Sequence, residues 1–444
     1  MVDKRTYFLL SERESTLSTE VVAGISTYLS LAYIFIVNPA ILSNAHMDPG
    51  MVLFATAVAS GLTTLVMGLW AKLPFAVAPG LEMNGFFAFY VVGALGLSWQ
   101  DALGTVFWSG ILYLILALLP VRQRIVDSIP TGLKINIGVS VGVFVATIGL
   151  KLAKIISFKD GLPNLAAWHF STLSTNEARI LYVGLLISLV LGLRRFRIKG
   201  GMLIAIIISA VVCKGLGIGL PVSAHISSNI FAELGSLHVT SVLYNPHFLP
   251  VTLTFLIINF FGDIGKFIGL TASAKSILIN RKVPHMEKAL YTDASGTILG
   301  SILGTSNLIT YVESAVGIAA GGRTGITAIV CGFLMLASLI FTPLVGFVPV
   351  EATSGILVYV GWLLLPIHQY RKGEGLFSTF DLSIAAAMGI ISFVFFDLNM
   401  AMLLGFLAYT IYELIKQRKF NTWLTITTLA LTVAVVVQHL WSIH

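Results

Sequence analysis

Residues 304–321 read GTSNLITYVESAVGIAAG, an apolar stretch that is short, rich in glycine and carries one acidic residue, Glu313. Residues 74–92, PFAVAPGLEMNGFFAFYVV, are of the same kind, with prolines and a glycine near the start and with Glu82 and Asn84. Two short, Gly/Pro-interrupted apolar segments at corresponding positions of two halves are typical of an inverted-repeat transporter whose binding site lies at the membrane midplane. This pair of stretches therefore decides the fold class.

The composition of the whole chain is that of a membrane protein. Of its 444 residues 57% are apolar and 11% are charged, against about 45–50% and about 25% in soluble domains, and the mean hydropathy is +0.92. These values exclude a soluble enzyme, a nucleic-acid-binding protein, a secreted disulfide scaffold and a disordered chain. Cys213 and Cys331 lie in separate apolar stretches and give no framework for a disulfide or a zinc site. The first fifteen residues are polar and lack the pattern of a signal peptide.

The apolar segments form two sets of seven. The first set lies near 18–42, 51–71, 74–93, 101–120, 131–151, 178–193 and 200–217, and the second near 250–270, 288–303, 306–321, 325–343, 349–366, 381–397 and 400–416. A last apolar run, 421–442, either spans the membrane or lies along its face or along a dimer surface. Because seven is odd, the two sets point in opposite directions. We predict an all-α polytopic membrane protein with fourteen transmembrane segments in two inverted seven-segment repeats, of which segments 3 and 10 are short and broken.

The predicted segments define domain boundaries and an orientation. The first repeat covers 1–217, an external linker without Lys or Arg covers 218–249, the second repeat covers 250–416, and a basic tail with the extra apolar segment covers 417–444. Of 27 Lys and Arg residues, 21 fall on the side of the N-terminus, five fall on the opposite side, and Lys266 lies inside a segment. By the positive-inside rule the protein is multi-pass in the cell (inner) membrane, with a cytoplasmic N-terminus.

Most acidic residues lie in tails, loops or helix ends; the clearest exceptions are Glu82, Asp263 and Glu313, with Lys266 beside them. A charge at bilayer depth costs at least ~2.5–3.5 kcal/mol on insertion scales, so each must face protein or a water-filled cavity. Asp263 and Lys266 are three residues apart on one helix face, where they form either a self-neutralising pair or part of a substrate or proton site. Glu82 is either a proton carrier or the counter-ion of Lys266.

The tenth segment holds the strongest candidate for a substrate contact. Glu313 either accepts a hydrogen bond from backbone freed by the broken helix or accepts two parallel N–H bonds from a flat ligand. Thr310 and Tyr311 precede it and add hydrogen-bonding groups. Phe86 is either ordinary packing or the face on which a ring stacks. The histidines fall outside the central segments, which argues against a metal site or a histidine proton relay.

Four runs of sequence resemble a known family, the AzgA-type purine permeases of the nucleobase–ascorbate transporter superfamily. They are TYLSLAYIFIVNPAIL (27–42), APGLEMNGFFAF (78–89), GTSNLITYVESAVGIAAGGRTGITA (304–328) and FTPLVGFVPVEATSGILVYVG (341–361). The resemblance implies a uracil-permease-like fold with a core domain of segments 1–4 and 8–11 and a gate domain of segments 5–7 and 12–14. It also implies that strands and half-helices of segments 3 and 10 meet at the nucleobase, and that the protein is a homodimer.

The resemblance assigns roles to individual residues and also shows departures from the family pattern. Glu313 matches the tenth-segment carboxylate, Asn84 matches the asparagine of the third-segment motif, and Phe86 lies near the position that approaches the base. Where the family has F-D-T-x-G-T in segment 8, this chain has Phe261-Gly262-Asp263-Ile264-Gly265-Lys266. Glu82 replaces a glycine, and Ile309 stands where a threonine is common. We expect a rearranged site in which Glu313 holds the base while Glu82 and Asp263, balanced by Lys266, handle the proton. Asp263 is also a candidate for substrate binding, and Glu313 is also a candidate for proton coupling.

The sequence therefore predicts a secondary active transporter, a proton-coupled symporter that imports purine nucleobases (hypoxanthine, guanine or adenine) by alternating access. It predicts no cofactor apart from the coupling ion H⁺, no metal, and the lipid bilayer as the surrounding partner. The alternative is a transporter of the same fold for xanthine or uracil, because the altered eighth segment is where selectivity would change. An intramembrane enzyme is less consistent with the sequence, which lacks an H-E-x-x-H motif and an aspartyl-protease G-x-G-D.

Overall fold

The computed structural model describes residues 8, 10–119, 129–153, 155–159, 162–165, 187, 189, 201–215, 234–245, 247–272, 285–341, 348–365, 378–416 and 420–442. The predicted segment 178–193 and most of the predicted cytoplasmic loops lie outside these residues. The orientation and the division into core and gate domains stay predictions.

Segments 1 and 2 are helical, and each begins at a recognisable cap. Helix α1 (Leu17–Leu31) starts at Thr16, whose side chain accepts the N–H of Thr19, and a break at residues 32–33 separates it from α2 (Ile34–Leu42). Helix α3 (Pro49–Val66) is capped by Asp48 and continues as a π-helix over Met67–Ala71. The polar cap side chains satisfy N–H groups that have no partner inside a helix.

Segment 3 is a strand followed by a half-helix. Strand β1 (Val77–Pro79) leads into the short helix α4 (Leu81–Gly85) and a π-helical turn over Phe86–Val92. The remaining described elements of the first half are α5 (Trp99–Leu118), α6 (Thr131–Leu152), the antiparallel strands β2 (Ile156–Lys159) and β3 (Leu162–Leu165), and α7 (Gly201–Gly215).

The second half follows the same plan. Its elements are α8 (Phe248–Ala272), α9 (Met286–Leu303), strand β4 (Leu308–Thr310) with the half-helix α10 (Ser314–Ala319), α11 (Gly325–Ala337), α12 (Ser354–Leu364), α13 (Thr379–Val394) and α14 (Leu398–Lys416). The last apolar run forms a separate helix, α15 (Thr422–Ser442), which packs on α8 and α14. Within the described ranges, the predicted segments correspond to these elements, and segments 3 and 10 are broken as predicted.

Four continuous helical stretches are long and apolar enough to cross a membrane: Leu17–Ala45, Pro49–Ala71, Trp99–Leu118 and Thr131–Leu152. Seven shorter apolar helices accompany them in the part of the chain that the structure describes. Large apolar side chains such as Val211, Phe333 and Ile390 lie exposed on the outside of the helices, as expected where lipid is the solvent. The chain is thus a predominantly helical, polytopic membrane protein.

Helices of the two halves approach closely at glycines. A Cβ built at Gly68 would lie 2.5 Å from the carbonyl oxygen of Gly325, and one built at Gly332 would lie 2.9 Å from that of Gly61. Such contacts hold segments 2 and 11 backbone to backbone, which is how helices associate when lipid removes the hydrophobic driving force. Segments 1, 2 and 11 therefore form a tight support beside the two broken segments.

Candidate functional site

The two broken segments meet through their strands. Strands β1 and β4 pair antiparallel, with Val77 opposite Thr310, Ala78 opposite Ile309 and Pro79 opposite Leu308. Backbone bonds from the N–H of Gly80 to Asn307 (3.0 Å) and from the N–H of Tyr311 to Ala76 (2.9 Å) extend the pairing by one step at each end. The half-helices thus leave one buried crossing point in opposite directions.

Glu313 lies where β4 turns into α10, and only half of its carboxylate is engaged. Oε1 accepts a hydrogen bond of 2.8 Å from the hydroxyl of Tyr33, which lies in the break between α1 and α2. Oε2 has no hydrogen-bond partner among the described residues, although Glu313 is only 8% exposed. A buried carboxylate oxygen without a donor costs free energy unless another group fills the position. This oxygen is therefore the clearest ligand-binding group at the crossing.

Glu82 and Lys266 form an ion pair across the site. Nζ of Lys266, on α8, lies 3.3 Å from Oε1 of Glu82 in the first turn of α4, and both side chains are largely buried. The structure thus pairs Glu82 with Lys266, and a part for Glu82 in proton coupling stays a prediction. Lys266 also lies close enough to Glu313 and Asp263 for electrostatic interaction, so one cation is surrounded by three acidic groups.

Asp263 belongs to a second cluster at the opposite end of the strand pair from Gly80. Its Oδ2 accepts a bond of 2.9 Å from the hydroxyl of Tyr113, and its Oδ1 lies 3.4 Å from the N–H of Thr310. Asp293, on α9, interacts electrostatically with Asp263 and accepts the hydroxyl of Thr310 at 2.9 Å. Both aspartates are fully buried, so two acidic groups lie on either side of Thr310 without exposure to solvent.

The amide side chains at the crossing are only partly satisfied. Asn84 accepts a hydrogen bond from the hydroxyl of Ser306 through Oδ1, and its Nδ2 has no partner in the described part of the chain. Asn38 donates to the hydroxyls of Thr56 (2.7 Å) and Thr305 (2.9 Å), which ties segment 1 to the loop before β4. Asn84 thus retains a buried donor on α4, two residues after Glu82.

The other predicted substrate residues already have protein partners. The hydroxyl of Tyr311 donates to the carbonyl of Pro79 at 2.6 Å, and the hydroxyl of Thr310 donates to Asp293. The ring of Phe86 is fully buried and stacks on Tyr90, with centroids 5.2 Å apart. The structure thus brings Glu82, Lys266 and Glu313 together, with Asp263 beyond them. Phe86, Thr310 and Tyr311 line the crossing or stabilise it through their protein partners.

Sequence reasoning missed Asp293, Tyr33 and Tyr113. Asp293 lies in the predicted ninth segment, five residues after its start at 288, where an acidic residue reads as a helix end. Its only sequence signal is the spacing of Asp293 and Thr297, one helical turn apart and so on one helix face; the structure shows both fully buried. The tyrosines carried no signal, since their partners Glu313 and Asp263 lie 280 and 150 positions away. No cluster of His, Cys, Asp and Glu suited to a metal occurs within the described ranges.

Sequence comparison finds relatives over most of the chain. A family model described as "Permease family" matches residues 18–366. Adenine permease AdeQ of Escherichia coli (strain K12) is 37% identical over 364 residues, which cover 80% of this chain and 79% of that protein. Guanine/hypoxanthine permease PbuO of Bacillus subtilis (strain 168) is 35% identical over 372 residues, which cover 81% of this chain and 83% of that protein. The resemblance to purine permeases is confirmed.

Structure comparison gives the same fold class. The transmembrane domain of BicA, a cyanobacterium bicarbonate transporter, aligns with a TM-score of 0.66 over 88% of this chain and 97% of that domain. At 13% identity the likeness concerns the fold alone. The fold is that of a multi-pass membrane transporter, as the two broken segments predict.

Proposed function

The chain belongs to the permease family, and we propose that it is a symporter that imports purine nucleobases (hypoxanthine, guanine or adenine) together with protons. It is a transporter rather than an enzyme. The observation that carries the proposal is Glu313, a buried carboxylate at the crossing of two broken segments, one oxygen of which has no partner among the described residues. The adenine permease and the guanine/hypoxanthine permease among its relatives support a purine as the substrate.

In this proposal Glu313 accepts a ring N–H of the base through Oε2. Lys266, whose ammonium group has three N–H donors and gives one to Glu82, and the free amide of Asn84 supply donors for the acceptor atoms of the base. A neutral purine presents ring N–H groups and acceptor atoms on one edge, so it complements a carboxylate beside an amide and an ammonium group. Phe86, Thr310 and Tyr311 support the pocket through the contacts described above.

The proton is proposed to bind at the Asp263–Asp293 pair. Both aspartates are buried, where two neighbouring acidic groups favour the uptake of a proton by one of them, and both contact Thr310, three residues before Glu313. Loss or gain of that proton changes the charge next to Thr310 in β4. The protonation state is thereby coupled to the strand that leads to Glu313. The opposite charges of Glu82 and Lys266 compensate each other, and their ion pair joins α4 to α8.

The proposed setting is a multi-pass protein of the cell (inner) membrane with a cytoplasmic N-terminus, active as a homodimer by alternating access. The test is uptake of labelled hypoxanthine into proteoliposomes with and without an inward proton gradient, with guanine, adenine, xanthine and uracil as unlabelled competitors. Uptake that needs the gradient and is blocked by guanine or adenine, not by uracil, supports the proposal. Folded protein that takes up uracil or xanthine instead would move the substrate to those bases.

A further inference from the structure

Tyr33 is the residue that decides how Glu313 is presented. It lies in the two-residue break between α1 and α2, is 1% exposed, and donates its hydroxyl to Oε1 of Glu313 at 2.8 Å. The backbone carbonyl of Tyr33 accepts a hydrogen bond of 2.9 Å from the N–H of Val37 in α2. This bond fixes the position of the Tyr33 backbone. A rigid donor on segment 1 therefore holds one oxygen of the carboxylate on segment 10.

The neighbouring hydroxyl groups do not share this task. The hydroxyl of Tyr311 donates to the carbonyl of Pro79. The hydroxyl of Tyr28, five residues before Tyr33 and on α1, lies 2.8 Å from that of Ser338. The hydrogen bond from Tyr33 is short and is made to a carboxyl oxygen in a buried place, where hydrogen bonds are stronger than in water. Among the described residues it leaves Oε2 of Glu313 as the oxygen without a donor.

We propose that Tyr33 is a positioning residue for the substrate: by holding Oε1 it fixes the plane of the Glu313 carboxylate and reserves Oε2 for one N–H of the ligand. This inference rests on the proposed function, because it takes the ligand to be a neutral heterocycle with a ring N–H. It replaces the two parallel N–H bonds that the sequence allowed with a single-point contact at Glu313. The ligand's remaining polar atoms must then be met by other groups, such as Lys266 and Asn84.

The substitution Glu313→Gln tests whether Tyr33 determines which atom of residue 313 faces the ligand. If Tyr33 keeps donating to the oxygen of residue 313, the new amide nitrogen takes the place of Oε2 and presents N–H groups to the ligand's N–H. Two donors then face each other, and binding is lost. Adding Tyr33→Phe frees the amide to turn over and offer its oxygen to the ligand. Tyr33→Phe therefore weakens binding in the wild-type background and restores part of it in the Glu313→Gln background.

The experiment measures equilibrium binding of labelled hypoxanthine to purified wild type, Tyr33→Phe, Glu313→Gln and the double variant, with thermal melting as a check of folding. Tyr28→Phe is the matched control, since it removes a tyrosine hydroxyl from the same segment away from Glu313. We expect Tyr33→Phe to weaken binding about tenfold and Tyr28→Phe to change it less than about twofold. The double variant should bind about tenfold more tightly than Glu313→Gln, a sign reversal that simple loss of a structural contact does not produce.

Each other outcome overturns a defined statement. Folded Tyr33→Phe that binds hypoxanthine like the wild type, or a double variant no better than Glu313→Gln, overturns the role of Tyr33. If Tyr33→Phe alone does not fold, the double variant still tests the role, because both of its side chains are uncharged and its comparison is with Glu313→Gln. Folded wild type that binds none of hypoxanthine, guanine or adenine overturns the proposed function itself, and the role of Tyr33 with it.

Discussion

Lys266 and Glu82 lie 184 positions apart in sequence and 3.3 Å apart in the structure. The ion pair joins α8 to the first turn of α4, so it connects the second half of the chain to the broken segment of the first half. Its side chains are 12% and 9% exposed, which means that each charge depends on the other for its stabilisation. At the two positions where the resemblance implies a threonine and a glycine, this chain has a cation and an anion in contact.

Breaking this pair is expected to destabilise the protein strongly. Lys266→Met should lower the free energy of unfolding by about 3–5 kcal/mol, because Glu82 is left buried without its cation. Glu82→Gln should cost less, because Lys266 still interacts with Asp263 and Glu313. The double variant should lose clearly less than the sum of the two. The measurement is thermal and denaturant unfolding of the purified protein in detergent at pH 7.

A more exposed polar contact gives the control. Asp101→Asn removes the acidic group that lies 2.8 Å from Nδ1 of His238, whose side chain is 48% exposed, and should cost less than about 1 kcal/mol. Additive losses for Lys266→Met and Glu82→Gln would contradict the idea that the two charges act as a unit.

Substitutions in the buried aspartate pair should separate proton coupling from substrate binding. Asp293→Asn and Asp263→Asn fix one member of the pair in a neutral form that cannot exchange a proton. We expect accumulation of hypoxanthine driven by an inward proton gradient to fall to background, while exchange of labelled for unlabelled hypoxanthine across the membrane persists. Asp48→Asn, at the cap of α3, retains an acceptor for the cap and should leave both activities unchanged.

The opposite result is equally clear. If the Asp293→Asn protein still accumulates hypoxanthine against its concentration gradient when a proton gradient is applied, the proton is carried elsewhere. Glu82 and Glu313 would then be the remaining acidic groups at the crossing.

The architecture could be read from the sequence because it depends on local signals. Glycine, proline and a single carboxylate in an otherwise apolar stretch mark the broken segments 74–92 and 304–321, whatever they pack against. The partners inside the site could not be read in this way. Sequence spacing favoured Asp263 for Lys266, since three residues on a helix are neighbours, but the ammonium group reaches Glu82 on another segment.

Buried polar residues near predicted segment ends were the second difficulty. Depth in the membrane is not encoded by distance from the end of an apolar run, so Asp293 looked like an exposed helix terminus although it is fully buried. Its partner Thr310 comes from β4, and only the antiparallel pairing with β1 brings the two together. Long-range strand pairing therefore decides which side chains form the site.

Gly262 should accept a carboxylate without loss of structure. A Cβ built there meets no described atom within 4 Å, and this is the position at which the resembled family carries its eighth-segment aspartate. We expect Gly262→Asp to fold. It should change the inhibition of hypoxanthine uptake by at least one of guanine, adenine, xanthine and uracil by about threefold or more, because a new acceptor changes the hydrogen-bonding pattern of the site. Competition assays in proteoliposomes measure this change.

A crowded helical glycine provides the comparison for Gly262→Asp. A Cβ at Gly149 would lie 2.7 Å from the carbonyl oxygen of Ser354 and 2.8 Å from Val358, so Gly149→Ala should destabilise although it adds only one methyl group. A Gly262→Asp protein that unfolds as readily as Gly149→Ala would show that the space at residue 262 is filled.

Phe396 makes a backbone prediction that is independent of transport. It joins α13 to α14 with φ of 51°, a left-handed conformation that costs a residue with a Cβ about 1–2 kcal/mol, while its buried ring stacks on Phe144 at 4.7 Å. Phe396→Ala and Phe396→Gly lose the same ring packing, but only glycine also removes the strain. Phe396→Gly should therefore be more stable than Phe396→Ala by about 1 kcal/mol in detergent unfolding experiments.

At Phe395, which is 58% exposed with φ of −93°, the alanine variant should be at least as stable as the glycine variant. If alanine is the better substitute at both positions, Phe396 does not adopt the left-handed conformation.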